Sequence, residues 1–281
     1  LNPFQGEYLA SGSADQTVRI WDLDELTCKA SYRQLHSDKV QVVRWNRVNE
    51  SILLSAGYDG KVNILDVRSE DSTLSTTLDK ALYKDIESAQ WHPSTESNFV
   101  ITTESGNVLG FDSRKLTAPV FDIKAHKKAC SSVSFSPHIP NMMVSVGTDK
   151  VCKVWDVMAT GASGAIEPTC VKSKDLKQGE LFSVQMYADI PWVLAAGGAK
   201  GEVAIWDTEE DATVLSHFKD KCPPKVKKMK KTADKGLEAT DQAMVEGDSD
   251  DFEDVDSDEE GSDTREAEKK PAKSKRKAAK K

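Results

Sequence analysis

Short runs of the chain alternate apolar and polar residues with a period of two. VRIWD (18–22), KVNIL (61–65) and EVAIW (202–206) put Val18 and Ile20, Val62 and Ile64, and Val203 and Ile205 on one side of an extended segment. A helical repeat would instead space its apolar residues by three and four. The acids that close these runs fall at Asp22, Asp66, Asp112, Asp156 and Asp207, in steps of 44, 46, 44 and 51 residues. A second series, Trp45, Trp91 and Phe135, advances by 46 and 44, with VQMY at 184–187 as its fourth copy. Turn residues punctuate each unit. In the second unit Asn49, the GYDG turn at 57–60 and the stretch 69–71 separate four strands predicted over about 39–46, 51–57, 61–67 and 72–78.

A repeat of 40 to 50 residues built from short alternating strands predicts an all-β chain of β-propeller blades. One blade cannot bury both of its faces, so each needs neighbours. The series predicts a partial blade over 1–34 and blades over about 35–78, 79–125, 126–175 and 176–218, four complete and one partial. Finer spacing resembles the WD40 pattern, in which four side chains per blade form a hydrogen-bonded tetrad. His126, Ser145, Asp149 and Trp155 supply all four in the fourth unit. His36, Ser55 and Asp59 repeat the separations of 19 and 4, but Leu65 stands where tryptophan would follow. Ser11, Asp15 and Trp21 keep 4 and 6 in the first unit. The third and fifth units lack a leading histidine and carry Ser105 and Lys200 near the turn position, so apolar packing alone is expected to hold them.

That recurrence bears on catalysis. His126, Ser145 and Asp149 could be written as a catalytic triad, yet His36, Ser55 and Asp59 repeat it one blade per copy. A catalytic site is built once, whereas a device that repeats is structural, because buried polar groups must be paired. No catalytic residue, cofactor site or metal site is expected. His92, His138 and His217 are expected in turns or at the surface, and GGAKG (197–201), without the GK[ST] ending of a phosphate loop, reads as a hairpin turn.

Composition adds a boundary. The 281 residues hold 38 basic and 46 acidic side chains, a net charge of −8. Residues 219–281 contain 17 of each sign, so the whole −8 lies on residues 1–218, which argues against a general nucleic-acid-binding surface there. Within 219–281 the charges run in blocks: CPPKVKKMKK, then ten acids in 246–260, then eight bases in 266–281. Such a basic–acidic–basic segment has too little apolar content to fold and is expected to be disordered. Lys269, Lys270, Lys273, Lys275, Arg276 and Lys277 read as a nuclear import signal or a nucleic-acid-binding arm. Ser257, followed by Asp258, Glu259 and Glu260, suits an acidophilic kinase. Five scattered cysteines form no CxxC pair and suit a reducing compartment, and no apolar run approaches the roughly 18 residues of a membrane span. The opening LNPFQGEYLASGS, close to a strand and without Met, reads as a fragment whose upstream part is missing.

ILDVRS (64–69), GFDSR (110–114) and KDLKQGELFSVQMYADIPWVLAAGGAKGEVAIWD (174–207) resemble the periodic tryptophan protein family of WD40 proteins, over about 7–218. Members of that family also lack tryptophan in the blade of Leu65. The resemblance implies a ring of about seven blades and a non-enzymatic scaffold of the nucleus and nucleolus. Its implied role is assembly of large-subunit (60S) ribosomal precursors and rRNA processing, with pre-ribosomal proteins, and rRNA itself, as partners. An import receptor reading the tail is a further expected partner, and a membrane or a small-molecule substrate is not. Two other readings stand beside it. A chromatin adaptor would hold basic histone tails on an acidic propeller. A substrate receptor of a cullin-type ubiquitin ligase would dock through Asp66 with Arg68 and Asp112 with Arg114, the D-x-R part of a WDxR box.

Overall fold

The computed structural model describes residues 1–69, 73–157 and 166–222. They form five antiparallel sheets in chain order. The first holds β1 (Tyr8–Gly12), β2 (Val18–Asp22) and β3 (Thr27–Tyr32); the second holds β4 (Val40–Trp45), β5 (Ile52–Gly57), β6 (Lys61–Asp66) and β7 (Thr73–Thr77). The third holds β8 (Ile86–Trp91), β9 (Asn98–Thr103), β10 (Asn107–Asp112) and β11 (Phe121–Lys124), preceded by a single helical turn, α1 (Lys80–Tyr83). The fourth is β12 (Cys130–Phe135), β13 (Met142–Gly147), β14 (Val151–Asp156) and β15 (Thr169–Asp175). The fifth is β16 (Leu181–Met186), β17 (Val193–Gly198) and β18 (Val203–Asp207).

Each sheet is a meander, and its neighbours are the sheets before and after it: β4 packs beside β8, β8 beside β12 and β12 beside β16, while β1 lies against β4. Blades therefore succeed one another as the period predicts. The alternation of the sequence accounts for the cores between them. Val62 and Ile64 face the third sheet and pack with Ile86, Ala89 and Trp91, whereas Leu53 packs with Val18, Ile20 and Trp45 in the preceding seam, with Leu65 its partner on the neighbouring strand. Every inner strand carries a register shift at its start, between Val40 and Val42, Ile86 and Ser88, Cys130 and Ser132, and Leu181 and Ser183. Such a bulge adds twist and bends the strand.

Three of the described sheets have four strands, and the first and fifth have three. The expected fourth strand of the unit at 176–218 is replaced by a 3-10 turn, Thr208–Glu210, and helix α2 (Ala212–Phe218). Asp211 caps that helix by accepting from the N–H groups of Thr213 and Val214, and Val214 and Phe218, four apart, both bury fully into the core between the fourth and fifth sheets. Val203 and Ile205 on the edge strand β18 stay exposed. The nuclear import cluster (269–277) and Ser257 lie outside the described residues.

Candidate interaction surfaces and their buried supports

The tetrad residues of the fourth sheet form a continuous chain of bonds. Trp155 Nε1 donates to Ser145 Oγ at 2.9 Å, Ser145 Oγ is 2.8 Å from His126 Nε2, and His126 Nδ1 is 2.9 Å from Asp149 Oδ1. A carboxylate only accepts, so Nδ1 carries the proton and Nε2 accepts from the serine hydroxyl. Burial holds the His126 pKa below its usual value against the opposing pull of Asp149. Burial pushes the Asp149 carboxyl up, but the N–H groups of Lys127 and Val151 and the His126 ring outweigh it and leave the pKa lowered. The aspartate thus ties the loop that leads the blade to the turn between its second and third strands. Gly147 makes room for this: a Cβ there would lie 2.6 Å from the Ala129 carbonyl and 2.9 Å from the His126 ring.

The second sheet repeats the arrangement without its indole. His36 Nε2 is 2.9 Å from Ser55 Oγ, and His36 Nδ1 is 3.1 Å from Asp59 Oδ1, which also accepts from Lys61 N while Oδ2 takes Ser37 N. Leu65 fills the tryptophan position at 1% exposure. Asn63 occupies part of the vacated polar space, its Nδ2 lying 3.1 Å from His36 Nε2 and 3.2 Å from Leu35 O. In the first sheet Trp21 Nε1 donates to Ser11 Oγ at 2.8 Å, and Asp15 bonds Thr17 and Arg19 instead of a histidine.

The third sheet departs from the expectation of apolar packing alone. Thr103 Oγ1 and Ser105 Oγ lie 2.9 Å apart, Ser105 Oγ reaches Asn107 Oδ1, and Asn107 Nδ2 donates to Asp122, which also accepts from Tyr83 OH. Partners drawn from α1 and β11 have replaced the histidine and tryptophan. His92 is also not a surface residue. It is buried, it stacks edge-on against Phe135 at 5.2 Å, its Nδ1 accepts from Ser94 N, and burial lowers its pKa. His217 sits on α2, where Nε2 is 2.9 Å from the buried carboxylate of Asp156; Lys221 reaches the same carboxylate.

A second repeating device was absent from the sequence reading. Oδ1 of Asn2 and of Asn46 each accepts two N–H groups of the turn that follows, and each Nδ2 donates to the next blade, at Glu50 O and Glu96 O, 2.9 and 2.8 Å away. His138 Nε2 makes the equivalent bond to Ala188 O. The matching steps of Asn2, Asn46, His92 and Ser136, all of which accept from N–H groups of the turn that follows, were the signal that could have found its turn-capping half.

At the ends of β6 and β10 the two D-x-R segments adopt one geometry. Arg68 Nε and Nη2 bond Asp66 at 2.9 and 2.6 Å, and Arg114 bonds Asp112 through the same atoms at 3.0 and 2.6 Å. Both arginine side chains are largely exposed, at 68% and 77%, so two guanidinium groups are displayed one blade apart. Around Tyr58 the surface is acidic. Burial, followed by the charges of Glu87, Asp85, Glu104 and Asp38, raises the Tyr58 pKa, and Lys80 and Lys84 pair with Asp85 and Glu104 only.

Among the described residues, burial pushes the thiols of Cys130 and Cys152 up, the latter to about 12, and no group of three His, Cys, Asp or Glu is placed to hold a metal ion. No described helix is long and apolar enough to cross a membrane.

Comparison with known proteins agrees with this architecture. The WD domain, G-beta repeat family matches residues 2–22 and 117–156. Periodic tryptophan protein 1 of Saccharomyces cerevisiae is 33% identical over 226 residues, 78% of this chain and 39% of the yeast protein. Its Drosophila melanogaster homologue is 29% identical over 75% of this chain and 44% of its own length. An uncharacterised WD repeat-containing protein of Schizosaccharomyces pombe is 33% identical over 86% of this chain and 45% of its own. The chain thus spans under half the length of these relatives. Repeat, the buried tetrad of the fourth sheet with its partial copies, and sequence likeness together show that the chain belongs to the WD40-repeat proteins, as a relative of the periodic tryptophan proteins.

Proposed function

We propose that the chain is part of a non-enzymatic scaffold for nucleolar ribosome assembly, acting on precursors of the large subunit and on rRNA processing. The observation that carries this reading is the likeness to Periodic tryptophan protein 1 across 78% of the chain. The geometry supports a scaffold in a specific way. Polar side chains capable of acid–base work are turned inward and consumed in holding loops. Groups left at the surface, the acidic surround of Tyr58 and the two displayed arginines, are suited to contact and not to chemistry. Basic ribosomal proteins are the partners that an acidic loop surface attracts.

Sedimentation through a sucrose gradient tests the reading. The protein should travel with large-subunit precursor particles, and its depletion should accumulate unprocessed rRNA. Recovery only in light fractions, with normal rRNA processing after depletion, refutes it.

A second reading rests on the arginines. Docking to a ligase adaptor would require Arg68 and Arg114 to be shared with, or taken from, the aspartates they now bond. Arg68→Asp with Arg114→Asp should abolish adaptor pull-down if the reading holds, and absence of any interaction with the unaltered chain removes it.

A further inference from the structure

Between the inner strands β4, β8, β12 and β16 lies a cavity of about 360 Å³, within the roughly 300–1,000 Å³ usual for small-ligand sites. Arg44 and Arg47 line it, together with Gln90, Ser132, Ser183 and Gln185, and no carboxylate contributes to its wall. Arg44 has one hydrogen bond, from Nε to Ala89 O at 3.3 Å. Its Nη donors and the whole Arg47 guanidinium have no acceptor among the described residues. Of the other described arginines, Arg19, Arg68 and Arg114 each pair with an aspartate of their own blade, and Arg33, outside the cavity, does not. Desolvation, and then the charge of Arg47, depresses the pKa of Arg44. Both arginines are exposed, so water meets their charge, but the two cations still repel one another, and an anion between them would relieve that.

The rest of the wall favours one kind of anion. Phe135 N donates to Gln90 Oε1 at 2.8 Å, which fixes the amide with its NH₂ end left to donate. Ser132 Oγ accepts from Val184 N, so its hydroxyl hydrogen is also free to donate. A surface rich in donors and poor in acceptors matches a ligand that only accepts, and the fork of arginine fits phosphate oxygens.

We propose that this cavity is an anion site for a compact phosphate-bearing small molecule, held by Arg44 and Arg47 with Gln90 and Ser132 as supporting donors. Calorimetric titration of tripolyphosphate into the full chain at low salt tests it. Arg44→Gln and Arg47→Gln should each weaken binding about tenfold or more, and the double variant should lose this site. Arg68→Gln, which alters an exposed arginine outside the cavity, should change nothing. Lysines of the C-terminal stretch also attract polyphosphate, so the decisive readout is the difference made by the two cavity arginines. Binding by the double variant equal to that of the unaltered chain overturns the proposal. So does a short single-stranded RNA whose binding needs both arginines while that of tripolyphosphate does not. Circular dichroism checks the fold of each variant. Should the double variant fail to fold, Arg47→Gln decides alone, because Arg47 lies in an exposed turn beyond β4.

Discussion

Ser145→Ala and Ser55→Ala remove the same hydroxyl from the same place in two blades and should not cost the same. In the fourth sheet Ser145 Oγ is fully buried, accepts from Trp155 Nε1 and serves His126 Nε2. Alanine leaves two buried polar groups without a partner. At about 1–3 kcal/mol for each, the loss should be about 2–6 kcal/mol. In the second sheet Leu65 presents no N–H, and Asn63 Nδ2 already lies 3.1 Å from His36 Nε2, so Ser55→Ala should cost only about 1–2 kcal/mol. Amide exchange resolved to β13–β14 and to β5–β6 is the suitable assay, since repeat arrays need not unfold in one step. A further control is Trp155→Phe, which should cost less in the Ser145→Ala background than alone. Equal losses for the two serine variants, or full additivity of the second pair, would refute the account of the tetrad as one connected chain.

Three further outcomes follow from the same geometry. The folded-state pKa of His126 is depressed, so its contribution is fully present above the unfolded value of about 6.5 and is lost as pH falls toward the folded one; melting of the fourth sheet should drop on acidification from pH 7, and His126→Gln should flatten that slope. Asp149 follows the same sign at lower pH, below about 4, because its pKa is also lowered. Gly147→Ala should destabilise by about 1–3 kcal/mol, read by denaturant unfolding, since its methyl meets a backbone carbonyl at 2.6 Å. Phe218→Ala should cost about 3–5 kcal/mol and release α2, visible as faster exchange along that helix and along β15 beneath it.

The tetrads were legible because four chemically distinct residues recur at fixed offsets, and a polar pattern cannot be mistaken for general hydrophobicity. Leu65 could be recognised as a gap for the same reason. The substitute network of the third sheet was not legible: Thr103, Ser105 and Asn107 are residues ordinary at a hairpin turn, and their partners Tyr83 and Asp122 stand on α1 and β11, at positions the tetrad spacing does not mark. Helix α2 was hidden by expectation. Asp211 with Val214, Leu215 and Phe218 is a helix pattern with its cap, but the repeat invited a strand there. The bulge of each inner strand has no residue signature, since Val40, Ile86, Cys130 and Leu181 share only their burial. The cavity arginines were unremarkable in sequence because only the succession of blades places Arg44 and Arg47 beside strands that follow them by about one, two and three repeats.

The turn bonds of Asn2, Asn46 and His138 all run one way, from a blade to its successor. During synthesis the donor emerges some 50 residues ahead of its acceptor. At the rates of translation, about 5–20 residues per second, each blade waits seconds with that side chain still hydrated. The seam is therefore closed vectorially, each new blade locking the one before it, and the most recent blade is always the one left unlocked for chaperone or protease to sample.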